Sequence, residues 1–336
     1  METLDSFLLK NALKNEKEIP GNGLIYGKMG YAIYYGMASQ KDNSFCKIYK
    51  HFLDDVLNKT TKEDKLDIET GLLGVCIGID FILQKIEKGN VDDVLEDIDK
   101  HIYTVICSTN HQYDYINYET YTQVLFYLAL RLDHSMVDKE KRVLFINEAI
   151  SCINRISGIE IPIQFMEGPI YFTLNNPIIF FIEGLVRLYE MGIYRARIIH
   201  IFSEMATKFV FPKLHANRLA MLCVIKHACN VITEIPDFWR EIHQVLYNSI
   251  SVEKIFQKEL LNRNIFFMDG VSGVYLLMHV YNKLAKQDLF YIDREYYYHR
   301  IMNSDITKKL KSEIPLEAYG LNGYWGINLF YKSMLK

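Results

Sequence analysis

No Pro- or Ser-rich stretch interrupts this chain, and its seven prolines are spread over 336 residues. Composition therefore offers no linker at which to divide it, and 1–336 reads as a single domain. No apolar segment reaches the roughly 18 residues needed to cross a bilayer, so no membrane span is expected. The opening "METLDSFLLKNALKNEKE" lacks the apolar core of a signal peptide and reads as a helix, so the expected location is cytoplasmic. A dominant charge is missing too. With 38 basic and 41 acidic residues the net charge is -3, and no basic run or aromatic-plus-Arg platform stands out. Nucleic acid is thereby excluded as the main partner. No long segment alternates apolar and polar residues with period two, which argues against a sheet. The six cysteines, at 46, 76, 107, 152, 223 and 229, are scattered on apolar helix faces and read as buried thiols.

Apolar residues make up 50% of the chain, enough for a large core, and they are organised around recurring glycines. In "NIFFMDGVSGVYLLMHVYNKL" an amphipathic helix begins on Gly270 and Gly273, although glycine costs roughly 0.5–1 kcal/mol relative to alanine in a helix. "LIYGKMGYAIYYGM" repeats the pattern on Gly27 and Gly30, "IETGLLGVCIGIDFIL" on Gly71 and Gly74, and "YGLNGYWGINLFYKSML" on Gly323 and Gly326. The first two openings are 44 residues apart and the last two 53. Between them apolar helices without the glycines fall at 113–130, 174–192 and 213–231. Amphipathic helices at 3–15, 44–59, 92–108, 139–157, 194–210, 237–257 and 293–311 alternate with them.

A repeat of this length signifies stacked helical hairpins. The expected fold is all-α, with seven amphipathic–apolar pairs. An apolar helix flanked on both sides must be buried, so the pairs form two concentric rings, an α/α toroid or double-ring barrel of seven helical hairpins. An open solenoid needs a polar cap at its last repeat, and "LFYKSMLK" is not one. The glycines would then let neighbouring backbones approach closely at one mouth, where converging helix N-termini favour an anionic or strongly hydrogen-bonding ligand.

The glycine openings, above all "GLLGVCIGIDFIL" and "LNGYWGINLF", resemble the inner helices of the lanthionine synthetase C-like family, and the resemblance covers essentially the whole chain. It implies an α/α toroid and a role in lanthipeptide-type maturation of a ribosomal peptide, where thioether rings close by addition of cysteine thiols to dehydrated serines and threonines. The precursor peptide would be the partner, with other peptide-maturation enzymes beside it.

The family's cyclases hold zinc through a Trp-Cys-Tyr-Gly motif at the fifth inner helix and Cys-His-Gly at the sixth. This chain departs from both. "LHANRLA" places His215 at the first cysteine, and "MDG" places Met268 and Asp269 at the second cysteine and the histidine. A thioether, a carboxylate and an imidazole make a poor tetrahedral zinc set, so no metal and no cofactor is expected. The family's Ala-His-Gly at the fourth inner helix becomes "NNP", with Asn176 for the histidine, and the acid ahead of the third corresponds to Asp114 at a shifted spacing. The resemblance thus makes His215, Asp269 and Asp114 the catalytic candidates, and Asn176, Met268 and Arg218 the substrate-binding ones.

Without zinc a thiol needs a general base, and His215 is the one such residue that these motifs supply. The alternative is a non-catalytic peptide-binding or scaffold subunit, with His215 and Asp269 as ordinary polar residues lining a vacated mouth. A glycosidase or isoprenoid cyclase of the same architecture would need paired carboxylates or an Asp-rich motif, and Asp269 stands alone at the openings. Elsewhere, "CVIKHAC" sets Cys223 and His227 one helical turn apart, either a metal-binding pair or a buried thiol beside a core histidine. "DREYYYHR" clusters three tyrosines on an amphipathic helix, either a docking surface or the consequence of a chain with 24 tyrosines.

Overall fold

A computed structural model describes residues 16–62, 64–107, 117–133, 138–158, 169–260, 264–305, 307 and 318–334. These are helical, with no strand among them. In chain order the helices are α1 (Lys28–Ser39), α2 (Cys46–Lys59), α3 (Leu72–Ile82), α4 (Val91–Cys107), α5 (Tyr118–Asp133), α6 (Lys139–Gly158) and α7 (Pro177–Glu190). They continue as α8 (Arg195–Thr207), α9 (His215–Val231), α10 (Asp237–Ser249), α11 (Val271–Ala285), α12 (Arg294–Met302) and α13 (Tyr324–Met334). A short turn, Val252–Lys254, runs into a wider one at Ile255–Glu259. The odd-numbered helices are the apolar series, and the contrast with the even ones is strong: nine of the eleven residues of α3 are buried against two of the thirteen in α10. The helix read at 3–15 lies outside the described residues, as does part of the one read at 293–311, which is helical over Arg294–Met302.

Two compact units are present. The first comprises Met1–Ile98, Asn264–Phe267 and Asp293–Lys336, and the second Asp99–Arg263 and Met268–Ile292. Within the second, each apolar helix packs on the next, α5 on α7, α7 on α9 and α9 on α11, with α6 and α10 against α5 and α9. Within the first, α1 packs on α3 and on α13, so the last apolar helix of the chain lies against the first. The Trp325 ring sits 4.5 Å from Tyr31 and its indole N–H donates to the Tyr35 hydroxyl at 2.9 Å, while Asn328 Nδ2 donates to Tyr34 at 2.7 Å.

The openings at Gly27 and Gly71 share a construction. In each, carbonyls seven residues back in the chain lie over amides of the first turn of the coming helix. Gly21 and Asn22 accept from the amides of Lys28 and Met29, and Lys65 and Asp67 from those of Leu72 and Gly74. The loops also bond one another: Gly23 N–H to Thr70 O at 2.8 Å, Leu24 N–H to Ile68 O at 3.2 Å, and Asn322 N–H to Ile25 O at 2.9 Å. A Cβ on Gly30 would lie 2.6 Å from Leu24 O and 2.7 Å from Leu321 N, so glycine is required by backbone contact and not by an unusual dihedral. The expected close approach of neighbouring backbones is present at these openings of the first unit.

One boundary differs from expectation. The helix read at 237–257 stops at Ser249, because Ile250 is extended (φ -78, ψ 129) and Ser251 starts a new turn, its hydroxyl accepting from Lys254 N–H at 3.2 Å.

Candidate functional site

In the second unit the openings of α7, α9 and α11 are joined by hydrogen bonds, and α5 bonds the loop ahead of α7. Leu174 N–H donates to Met268 O at 2.7 Å, linking the fourth apolar opening to the sixth. Asn217, the third residue of α9, donates through Nδ2 to Pro169 O at 2.8 Å and Tyr171 O at 3.2 Å, linking the fifth to the fourth. Gln123 of α5 donates to Asn175 Oδ1 at 3.2 Å. The positions singled out in the sequence at these three openings are thus brought to the same end of consecutive helices. Asp114 lies outside the described residues.

Each of them is already engaged. His215 opens α9, and its amide and that of Ala216 donate to the two carboxylate oxygens of Glu259 at 2.7 and 2.9 Å. A helix N-terminus carries unsatisfied amides and partial positive charge, and here the protein's own carboxylate fills that slot. The imidazole Nδ1 of His215 accepts from Ser251 N–H at 3.2 Å, so in the neutral ring the proton sits on Nε2, which then donates. Arg218 turns back on its own loop, donating to Pro212 O at 2.7 Å and Lys213 O at 3.2 Å, with its guanidinium 4.7 Å over Phe211. Asn176 is the N-cap of α7: its side chain accepts from Ile178 N–H at 3.3 Å, with Pro177 in the first turn. Met268 is buried and Asp269 half-buried.

These bonds leave fewer amides at the α1, α3, α7 and α9 openings for the anionic or strongly hydrogen-bonding ligand expected there. At α1 and α3 loop carbonyls take the first-turn amides, at α7 Asn176 does so, and at α9 Glu259 does. They also bear on zinc, which the family resemblance implies. The donor set does not suit it, since His215 Nδ1 is bonded to a backbone amide, Glu259 is committed to α9, and Met268 offers only a thioether. Among the described residues no group of three or more His, Cys, Asp or Glu is arranged to hold a metal.

Two residues that matter here carry no sequence motif. Glu259 stands 44 positions from the amide it caps, and Asn217 is buried with its Oδ1 unpartnered among the described residues. Next to the Asn217 contact, Ile170 and Tyr171 are 87% and 63% exposed, an apolar rim at the α7 opening. In the first unit a cavity of 220 Å³ lies at the other ends of α1 and α13, between Tyr34, Met37, Lys41, Leu329 and Lys332.

The "CVIKHAC" pair divides between two neighbours. Cys223 is buried and donates its thiol to Leu277 O at 3.4 Å, whereas His227 bonds Glu183 of α7 at 2.8 Å. None of the six cysteines is in a disulfide.

The chain matches no family model, no curated protein and no solved structure. Among the described residues no helix is long and apolar enough to cross a membrane.

Proposed function

We propose that this chain is a zinc-independent, lanthionine synthetase C-like α/α toroid that holds a ribosomally made precursor peptide at the face formed by the openings of its apolar helices. Two arrangements support the ring. Consecutive apolar helices are neighbours within both units, and α13 packs against α1. A closed, compact chain of 336 residues has a radius of gyration of about 20 Å; small-angle scattering giving a clearly larger value would indicate an open arc.

Binding is favoured over cyclisation by one observation: the side chain of His215, the base that cyclisation without zinc would need, and those of Arg218 and Asn176 beside it are occupied in holding the openings together. His215 accepts from Ser251, Arg218 and Asn176 bond backbone, and α9 is capped by Glu259. The exposed Ile170 and Tyr171 beside them supply apolar surface for an extended peptide. The protein then acts as a peptide-binding or scaffold subunit of a maturation complex, on the cytoplasmic side.

Incubation with the precursor peptide encoded beside the gene tests this. The expected result is saturable binding with no thioether formed. Ring closure abolished by His215→Ala would instead make the protein a cyclase with His215 as base, and no binding would remove the functional reading altogether.

A further inference from the structure

The apolar helices of the second unit are not buried all round. On α7 the positions Phe180, Glu183 and Arg187 are each partly exposed, spaced three and four apart so that they share one face. Phe126 of α5 and His227 of α9 are partly exposed as well, and contacts join all five. The rings of Phe126 and Phe180 lie 5.4 Å apart, the Arg187 guanidinium sits 5.9 Å over Phe126, Arg187 Nε donates to Glu183 Oε1 at 2.9 Å, and His227 Nδ1 lies 2.8 Å from Glu183 Oε2.

The chemistry of this face follows from who can donate. A carboxylate only accepts, so the shared proton with Glu183 belongs to His227 Nδ1, and the neutral ring presents its lone pair at Nε2. Among the described residues none bonds Nε2. A carboxylate behind an imidazole fixes its tautomer and orientation and strengthens it as a proton acceptor. Burial pushes the Glu183 carboxyl up, but the bonds from His227 and Arg187 outweigh this and hold it below its ordinary range. It therefore stays charged behind the ring. The face does not suit an anion: the charge of Arg187 is matched by Glu183 and by Asp133 at 3.7 Å, leaving one excess negative charge.

We propose that this face binds an aromatic ligand carrying a weakly acidic hydroxyl or thiol, the ring lying against Phe126 and Phe180 and the O–H or S–H donating to His227 Nε2. The site is separate from the glycine openings, since His227 lies twelve residues along α9 from His215, about 18 Å of helix. It therefore does not depend on the peptide reading.

The test is a titration of the full chain, labelled with ¹⁵N at its ten histidines, against p-cresol, benzyl mercaptan and toluene. The His227 signals are assigned by their loss in His227→Gln. The expected result is a saturable shift of His227 Nε2 with a donor probe that binds about tenfold more tightly than toluene, and whichever of the two binds better identifies hydroxyl or thiol. Glu183→Gln keeps an acceptor for Nδ1–H but removes the charge, and should weaken donor binding by about tenfold while leaving toluene unchanged. The other nine histidine signals report whether either variant is folded. Absence of a saturable shift with both donor probes, equal affinity for toluene, or unchanged donor affinity in folded His227→Gln, read there from broadening of the probe's own ring-proton signals, each overturns the proposal.

Discussion

A carboxylate inside a helical protein can be held by amides or left without donors, and the second unit contains both cases. Glu259 accepts from the first two amides of α9. Its removal in Glu259→Ala should lower stability by about 1–2 kcal/mol, as loss of a helix cap does, and Glu259→Gln by less, since the amide keeps one acceptor. Denaturant unfolding of the three proteins gives the order. Glu148 of α6 is the reverse: it is 1% exposed, and among the described residues neither carboxylate oxygen has a hydrogen-bond partner. Around it stand Asp99 of α4, which binds Arg131 and Tyr127 of α5, with Cys107, Cys152 and Arg155 nearby. Burial, and then the charge of Asp99, push the Glu148 carboxyl up to about 8.

The consequence has a definite sign. Between the ordinary value of roughly 4.3 for glutamate and about 8 in the folded state, the folded protein holds a proton that the unfolded chain has released. This contribution is fully present below the lower value and is lost as pH rises through the upper one. Glu148→Met, apolar and of similar length, should therefore flatten the stability profile over that window and raise stability at pH 8 by about 1–3 kcal/mol. Thermal or denaturant melts at pH 5 and pH 8 measure it; a profile as steep as that of the unaltered protein refutes the assignment. Neither residue was legible as special in the sequence, because each owes its role to its surroundings on other elements: Glu259 to the first amides of α9, Glu148 to burial beside Asp99 of α4. His215 and Arg218 were legible as positions but not as roles, which backbone groups of their own and the following hairpin decide.

Among elements, the glycine openings were readable at once, because a Gly-x-x-Gly before an apolar run is a local pattern that helix propensity penalises. Their cause was only half visible. The loops ahead of α1 and α3 cap those helices and bond each other, so the second glycine meets carbonyl and amide groups that no local pattern shows. An unhindered helical glycine gains about 1 kcal/mol on change to alanine. At Gly30 and Gly74 the new Cβ would meet backbone of Leu24 and Leu321, and of Ile68 and Leu24, so the sign should invert to a loss of about 1–3 kcal/mol, the usual cost of overpacking. A gain in stability at either site would show that the loops are free to withdraw. The break after Ser249 was missed because the apolar period of 237–257 continues through it, while Ile250 and the cap from Ser251 interrupt the backbone.

At the scale of the molecule, the 44-residue interval between Gly27 and Gly71 returns as a spacing of contacts. Cys107 meets Ser151, Glu183 meets His227 and Glu259 meets His215, each pair 44 positions apart. Contacts that recur at one interval are what a repeat of helical pairs produces, which is why the all-helical character and the succession of packed helices could be read from periodicity while the individual partners could not. The same periodicity bears on whether the two compact units unfold together. The chain crosses between them at four places: between Ile98 and Asp99 inside the uninterrupted helix α4, between Arg263 and Asn264, between Phe267 and Met268 in the turn before α11, and between Ile292 and Asp293 ahead of α12. The first, within a helix, is not the flexible, exposed linker at which independent domains part. The two tryptophans provide the measurement, for Trp325 is buried against Tyr31 in the first unit and Trp239 is buried in the second, donating to Phe202 O at 2.9 Å. Fluorescence of Trp239→Phe follows the first unit alone, and that of Trp325→Phe the second. The expected outcome is that, within each variant, the tryptophan signal and the loss of helical circular dichroism share one denaturant midpoint, as a single cooperative domain requires. A fluorescence transition separated from the loss of helix in either variant would mean that α4 and the turn at 267–268 fail to couple the units, and that the chain folds as two domains.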